Sequence, residues 1–294
     1  MNPHHDAVCL SMSPRALWGA ALGLLAFTLL LFWLTDPLPQ DPAYHHFADQ
    51  RAWLGVPAAW NVLSNLAFVL VGAAGMALVV WLRRARRAPV HRAYLVLFAG
   101  VLLTGFGSAY YHLAPSNTTL FWDRLPMTVA FMGFFCSVLV ERVDRRLADR
   151  LLLPLLLVGA GTVVYWLLSE RAGAGDLRPY ALVQFLPLVL APALLAPRPR
   201  PAHYAPYLVG ALALYVLAKL AEVFDEEIYA LGAAVSGHAL KHLLAAAGAA
   251  CLVAMLYRRH GVPASVEHHQ GATIGDLGPG ARREIASRSK QSTS

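Results

Sequence analysis

The sequence predicts an all-α integral membrane protein of about eight spans, with both termini on the cytoplasmic side, and three observations lead there. Hydrophobic residues make up 57% of the 294 residues and charged residues only 14%, a composition far more apolar than that of a soluble domain. Apolar runs close to the roughly twenty residues that a spanning helix needs recur along the whole chain. Arginines gather in alternate connections between those runs.

The elements follow in order. The first run, Arg15–Leu34, begins after a basic residue as a secretory signal would. Its apolar stretch is longer than signals use, and the following Thr35-Asp-Pro-Leu-Pro-Gln40 has no small-x-small cleavage site, so it reads as an anchor. Asp36–Pro57 is polar and reads as an exposed loop with a short interfacial helix at Phe47–Leu54. Further apolar runs lie at Ala59–Leu82, Ala93–Leu113, Phe121–Val140, Leu151–Leu168, Tyr180–Ala196, Ala205–Val223 and Leu231–Tyr257. Membrane barrel strands are about half as long and alternate with period two, and these runs do neither. The tail beyond Arg259 is rich in Gly, Ser, Arg and Lys without apolar periodicity, and disorder is expected there. Three regions result: residues 1–58 as anchor and outer loop, 59–257 as a membrane domain, and 258–294 as a basic tail.

Positive charge orients the spans. Arg83, Arg84, Arg86, Arg87 and Arg92 mark one loop, Arg142, Arg145, Arg146 and Arg150 another, and Arg198 and Arg200 a third, all assigned to the cytoplasm. Loops between them are neutral or acidic, including Ala114–Leu120 and Asp225–Glu227. The net charge of +7 is accounted for by these clusters, so nucleic acid is not an expected partner. Cys9, Cys136 and Cys251 form neither a disulfide framework nor a CxxC metal motif.

Ionisable groups inside spans are costly and mark function by default. The stretch Gly105–Thr128 carries Ser108, His112 and Asp123 at a turn between two apolar runs, and Ser236-Gly-His-Ala-Leu-Lys-His242 adds His238 and His242. Ser108 and His112 are four apart, as are His238 and His242, so on helices each pair shares a face. The charge pattern puts all five at similar depth near the outer side. A lone intramembrane histidine often only hydrogen-bonds, but three imidazoles with a carboxylate and a hydroxyl fit a catalytic zinc site whose fourth position is left for water. Asn61, Ser64 and Asn65 read as helix-bridging residues. Lys219, Glu222 and Asp225 read as an outer ion pair or snorkelling group, and Arg124 as a neutralising partner of Asp123 or a headgroup contact. Lys241 reads as projecting away from the histidine face, Met127 and the phenylalanines from Phe131 to Phe135 as packing or tail-cavity lining, and the pairs His4/His5, His45/His46 and His268/His269 as solvated.

The S-x3-H of Gly107-Ser-Ala-Tyr-Tyr-His112, the following Asp123, the H-x3-H of His238-Ala-Leu-Lys-His242 and the Trp60-Asn-Val-Leu-Ser-Asn65 start of the second run together resemble the alkaline ceramidase family, part of a wider superfamily of membrane hydrolases and receptor-like proteins. The resemblance runs from about Trp60 to Tyr257. It implies a seven-helix bundle, to which Arg15–Leu34 adds one N-terminal transmembrane helix. It also implies zinc held by His112, His238 and His242, water activated by Asp123, and an oxyanion assisted by Ser108. That family also carries a calcium site. Ala58 stands where the family has a Glu, and Asp49-Gln-Arg-Ala does not reproduce the rest, which speaks against calcium regulation.

The expected function is a zinc-dependent intramembrane hydrolase that cleaves the amide bond of a ceramide-like membrane lipid with water, giving a fatty acid and a sphingoid base, with its site toward the extracytoplasmic side. The rival readings are a receptor on the same scaffold and a hydrolase of lipid esters. Ser108 as a covalent nucleophile is disfavoured, because the nearest histidine would be a metal ligand and not a free base.

Overall fold

The computed structural model describes residues 14–85, 90–195 and 205–260, and all of its regular structure is helical. The helices are α1 (Pro14–Leu34), α2 (Ala59–Leu63), α3 (Leu66–Arg84), α4 (Arg92–Leu113), α5 (Asn117–Arg142), α6 (Arg145–Arg171), α7 (Arg178–Leu195), α8 (Ala205–Val223), α9 (Asp225–Ala230) and α10 (Gly237–His260). Among the described residues, 6 helical stretches are long and apolar enough to cross a membrane: Ala59–Arg84, α4, α5, α6, Pro206–Val223 and α10. The chain is a multi-pass membrane protein whose described residues form helices and their connections. His4/His5, Cys9, Arg198, Arg200, His268/His269 and the expected disordered tail lie outside the described residues.

Local chemistry sets the helix starts. His91 accepts a hydrogen bond from the Ala93 N–H through Nδ1 (3.1 Å) and opens α4, and Asp144 accepts from the Leu147 N–H (2.7 Å) and opens α6. Ser116 and Thr119 form a reciprocal capping box at the start of α5. This cap makes the turn after His112 tight, so Asp123 stands on the second turn of α5 beside the end of α4.

Helix α4 packs most extensively on α5 and also on α3, α5 packs on α6 and α7, and α10 packs on α8 and α3. The α4–α5 crossing is a backbone-to-backbone contact that only small residues allow. A Cβ at Gly100 would meet the Ala130 backbone, one at Gly133 the Leu97 backbone, and one at Gly107 the Trp122 carbonyl. Gly107 and Trp122 immediately precede Ser108 and Asp123, so the closest approach of the two helices is what brings hydroxyl and carboxylate to one place. Gly107→Ala is therefore expected to force the helices apart and destabilise the protein by about 1–3 kcal/mol, the usual cost of overpacking, read as a lowered thermal midpoint in detergent.

The polar contacts sort by bundle end. At one end, His91 and Arg92 meet Asp149 (3.0 and 2.9 Å) and Arg259 meets Glu141 (2.7 Å). At the other, Arg178 pairs with Asp176 (2.8 Å) and donates to the carbonyls of Phe32 and Thr35, fastening the end of α1 to the start of α7. The segment between α1 and α2 lies over this second end. Its helical turn is Pro42–His45, whereas the sequence reading put a short helix at Phe47–Leu54. Phe47 is instead a buried wedge in non-helical chain, and Trp53 and Val56 face each other across a bridge. The apolar residues there reflect burial, with no helix period behind them. Asp49 is fully buried, takes the Arg51 Nε (2.8 Å) and NH2 (2.6 Å), and is held by these bonds below the usual carboxylate range despite its burial.

Candidate metal centre

His112 comes from the last turn of α4, and His238 and His242 from the first turns of α10. All three are buried, at 1%, 4% and 2% exposure. Their ring centroids form a near-equilateral triangle with sides of 4.8, 5.1 and 4.9 Å, and one ligand atom from each lies within 4.8 Å of the others. The i,i+4 face predicted for the α10 pair is the face presented to α4.

Whether these residues fit a metal is answered by their unmet bonds. Both ring nitrogens of His112 are buried without a hydrogen-bond partner, which is costly unless something else takes a lone pair there. His242 Nδ1 is held by the Ser64 hydroxyl at 2.8 Å, which leaves Nε2 for the cluster, 3.5 Å from the Ser108 hydroxyl. An outer partner on one imidazole nitrogen is the usual arrangement for a metal-binding histidine. His238 differs: its Nε2 already meets the Lys241 ammonium at 3.0 Å. Lys241 is equally bound to Glu222 (2.9 Å), so it has a carboxylate to withdraw to. The donor set fits a borderline metal ion that accepts imidazole, and zinc is compatible with it.

Ser108 and Asp123 stand beside this cluster, both buried, and the Ser108 hydroxyl lies 3.5 Å from His242 Nε2. Ser108, Asp123 and His242 share the wall of a cavity of about 240 Å³ that runs among α4, α5, α7, α8 and α10. Phe68, Met127 and Phe185 give its wall apolar surface, and Arg124, Tyr180, Lys219, Glu222 and Lys241 give it polar groups. The segment between α1 and α2 roofs the histidines: the Phe47 ring packs on His112 (4.6 Å) and on His238 (4.4 Å). Asp225 ties that roof to α10 by accepting from the N–H groups of both Ala48 (2.9 Å) and His238 (2.7 Å).

Structure thus brings together all five residues singled out from sequence. The ceramidase family model matches residues 56–191. That segment is similar to the ceramidase family. No curated protein matches the chain. The matched segment contains Ser108, His112 and Asp123 and ends before α10, so His238 and His242 join the site by geometry and spacing.

Several readings are corrected. Lys241 does not project away from the histidines; it sits against His238, three residues back along the helix, where side chains are neighbours. His45 is no solvated residue, since its ring bonds the Tyr111 hydroxyl (2.9 Å) and the Asn117 amide oxygen (3.0 Å). Arg124 is not an exposed headgroup contact: it is buried under the segment between α1 and α2 and bonds Gln40. Asn61 ties α2 to irregular chain and not to a second helix, donating to the Asp49 carbonyl (3.2 Å) and accepting from Ser236 (3.2 Å), and the Asn65 amide donates to the Asn61 carbonyl one turn back (2.7 Å). Ser64 goes beyond bridging, because its partner is a site histidine. The ion pair expected of Lys219 and Glu222 is present, and Lys241 joins it.

Proposed function

We propose that the protein is a zinc-dependent hydrolase of the amide bond in a ceramide-like N-acyl lipid. The observation that carries this reading is the buried triad of His112, His238 and His242, in which His112 has two nitrogens and no partner for either, beside the Ser108 hydroxyl and the Asp123 carboxylate of the cavity wall. The ceramidase family supports a ceramide-hydrolysing membrane enzyme. In this reading α1 is the additional anchor, the bundle from α2 to α10 is the catalytic domain, and α1 and α7 complete about eight spans.

Zinc, when bound, supplies a Lewis acid that polarises the substrate carbonyl and makes water a usable nucleophile near neutral pH. The rest falls to the chain's own residues. Asp123 takes the proton from water at a carboxylate oxygen and delivers it to the amine nitrogen as the carbon–nitrogen bond breaks. Ser108 donates its hydroxyl proton toward the negative charge developing on the carbonyl oxygen. Ser64 fixes the orientation of His242, and Phe47 keeps bulk water from the histidines on the roofed side. The apolar walls take the acyl chain. Direct analysis of lipids after incubation with purified protein tests the reading: N-acyl sphingoid base should be converted to fatty acid and amine, a chelator should stop it, and added zinc should restore it. Turnover that persists after complete removal of metal would end the proposal.

We place the mouth of the site on the extracytoplasmic side, on the support of the arginine pattern. Cysteine introduced at Thr118, exposed in the first turn of α5, should then react with an impermeant maleimide on intact cells or spheroplasts in a background without Cys9, Cys136 and Cys251. Cysteine introduced at Arg84 should react only after lysis, and the reverse pattern would invert the topology.

A further inference from the structure

We infer that Arg124 is a carboxylate-binding subsite of the cavity, which receives a lipid carboxylate either of the released fatty acid or of the headgroup of the substrate. This rests on the cavity being the lipid site of the proposed hydrolase. Arg124 is 6% exposed, lies on the cavity wall and makes no ion pair among the described residues. Its guanidinium is stacked by three rings, with the carbon 4.2 Å from the centroid of Trp166, 5.0 Å from Tyr180 and 5.6 Å from Tyr44. Its NH2 donates to the Gln40 amide oxygen at 2.6 Å, and its NH1 is buried with no partner at all. Rings on its faces and an amide on one edge fix the plane of the fork and leave one edge nitrogen for a ligand. A buried, oriented guanidinium with one free nitrogen suits a carboxylate oxygen, which accepts a charge-assisted hydrogen bond there.

The charges of the cavity wall point the same way. Arg124, Lys219 and Lys241 face two carboxylates, Asp123 and Glu222. Glu222 is engaged by both lysines and by the Tyr44 hydroxyl (3.1 Å), so it is not free for the arginine. Asp123 feels the charge of both Lys241 and Arg124 but forms an ion pair with neither. A metal cation in the triad adds further positive charge. A neutral amide lipid leaves this cavity with a surplus buried cation, whereas a lipid carboxylate removes the surplus, and buried charge is stable only when paired. Two molecules carry that group on a long chain: the fatty acid released by hydrolysis, and an N-acyl amino acid presented for hydrolysis. The first would make Arg124 a product site and the second a selector of substrate.

The test measures binding without turnover, using full-length protein in detergent. Equilibrium dialysis compares a labelled C16 fatty acid with its alcohol, and N-palmitoyl glycine with N-palmitoyl ethanolamine, under conditions where hydrolysis is negligible or chelated. A charge-assisted pair should favour the acid of at least one pairing by about tenfold. In Arg124→Gln that preference should vanish, and Arg124→Lys, which keeps the charge without the fork, should retain part of it. A preference in the first pairing alone assigns the product, and one in the second alone assigns the substrate. Parity of both pairings in the wild-type protein overturns the inference, and so does a preference that survives in Arg124→Gln. The wild-type comparison needs no variant, so it decides the matter even where a substitution impairs folding. An active amide hydrolase with parity would sink this inference alone, and an inactive protein with a clear carboxylate preference would sink the proposed reaction alone.

Discussion

Purified protein should carry about one zinc ion per chain, and His112→Ala, His238→Ala and His242→Ala should each abolish both the metal and the turnover. Three protein ligands are the number a catalytic zinc site keeps, so two are too few to hold the ion against water. The loss should not depend on which helix is altered, although His112 stands alone on α4 and the other two share α10. Ser64→Ala provides the graded comparison, because it removes only the hydroxyl on His242 Nδ1. Loss of such an outer partner lowers metal affinity by about 10- to 100-fold, and metal should return at high zinc concentration. Elemental analysis with competition by a chromophoric chelator reads both effects. Wild-type protein that is active and free of metal after gentle purification would refute the assignment.

Asp123→Asn should keep the zinc and lose turnover by about a hundred- to ten-thousandfold, because the amide preserves shape and cannot accept the proton. Ser108→Ala should also keep zinc. Its loss should be smaller than that of Asp123→Asn in the same assay, since water drawn into the space can supply a hydrogen bond but not a positioned base. Elemental analysis of the same preparations separates the two kinds of residue. If all five variants lose the metal alike, Ser108 and Asp123 build the centre and do not run the reaction.

Much of this site could be read from the sequence because helix geometry is a rigid ruler. In an apolar run, Ser108 and His112 can only lie one above the other, and so can His238 and His242. The arginine clusters then suffice to put both pairs near the same bundle end. What escaped the sequence depends on side-chain reach and on contacts between distant segments. On the helix ruler Lys241 projects away from the His238/His242 face, yet it stands three residues from His238, and its long stem lets the ammonium lie against the ring. The wedge at Phe47 has no periodic signal, since a single buried ring in irregular chain imposes none. The Ser64 contact joins residues 178 apart and has no local mark. Arg124 looks from sequence like a charge beside Asp123; only the folded segment between α1 and α2 shows that three rings and Gln40 hold it in place.

The triad also has a consequence for biogenesis. Ser108 and His242 are 134 residues apart, and α10 is the last helix of the described chain. During synthesis, α4 through α8 can be inserted and packed while His112 has neither of its histidine companions. The centre closes only when α10 docks against α3 and α8 and delivers both remaining histidines in one step. On the proposed zinc reading, metal capture would be a late event that reports completed assembly, and chains arrested before α10 should be recognisable to quality-control proteases as lacking it.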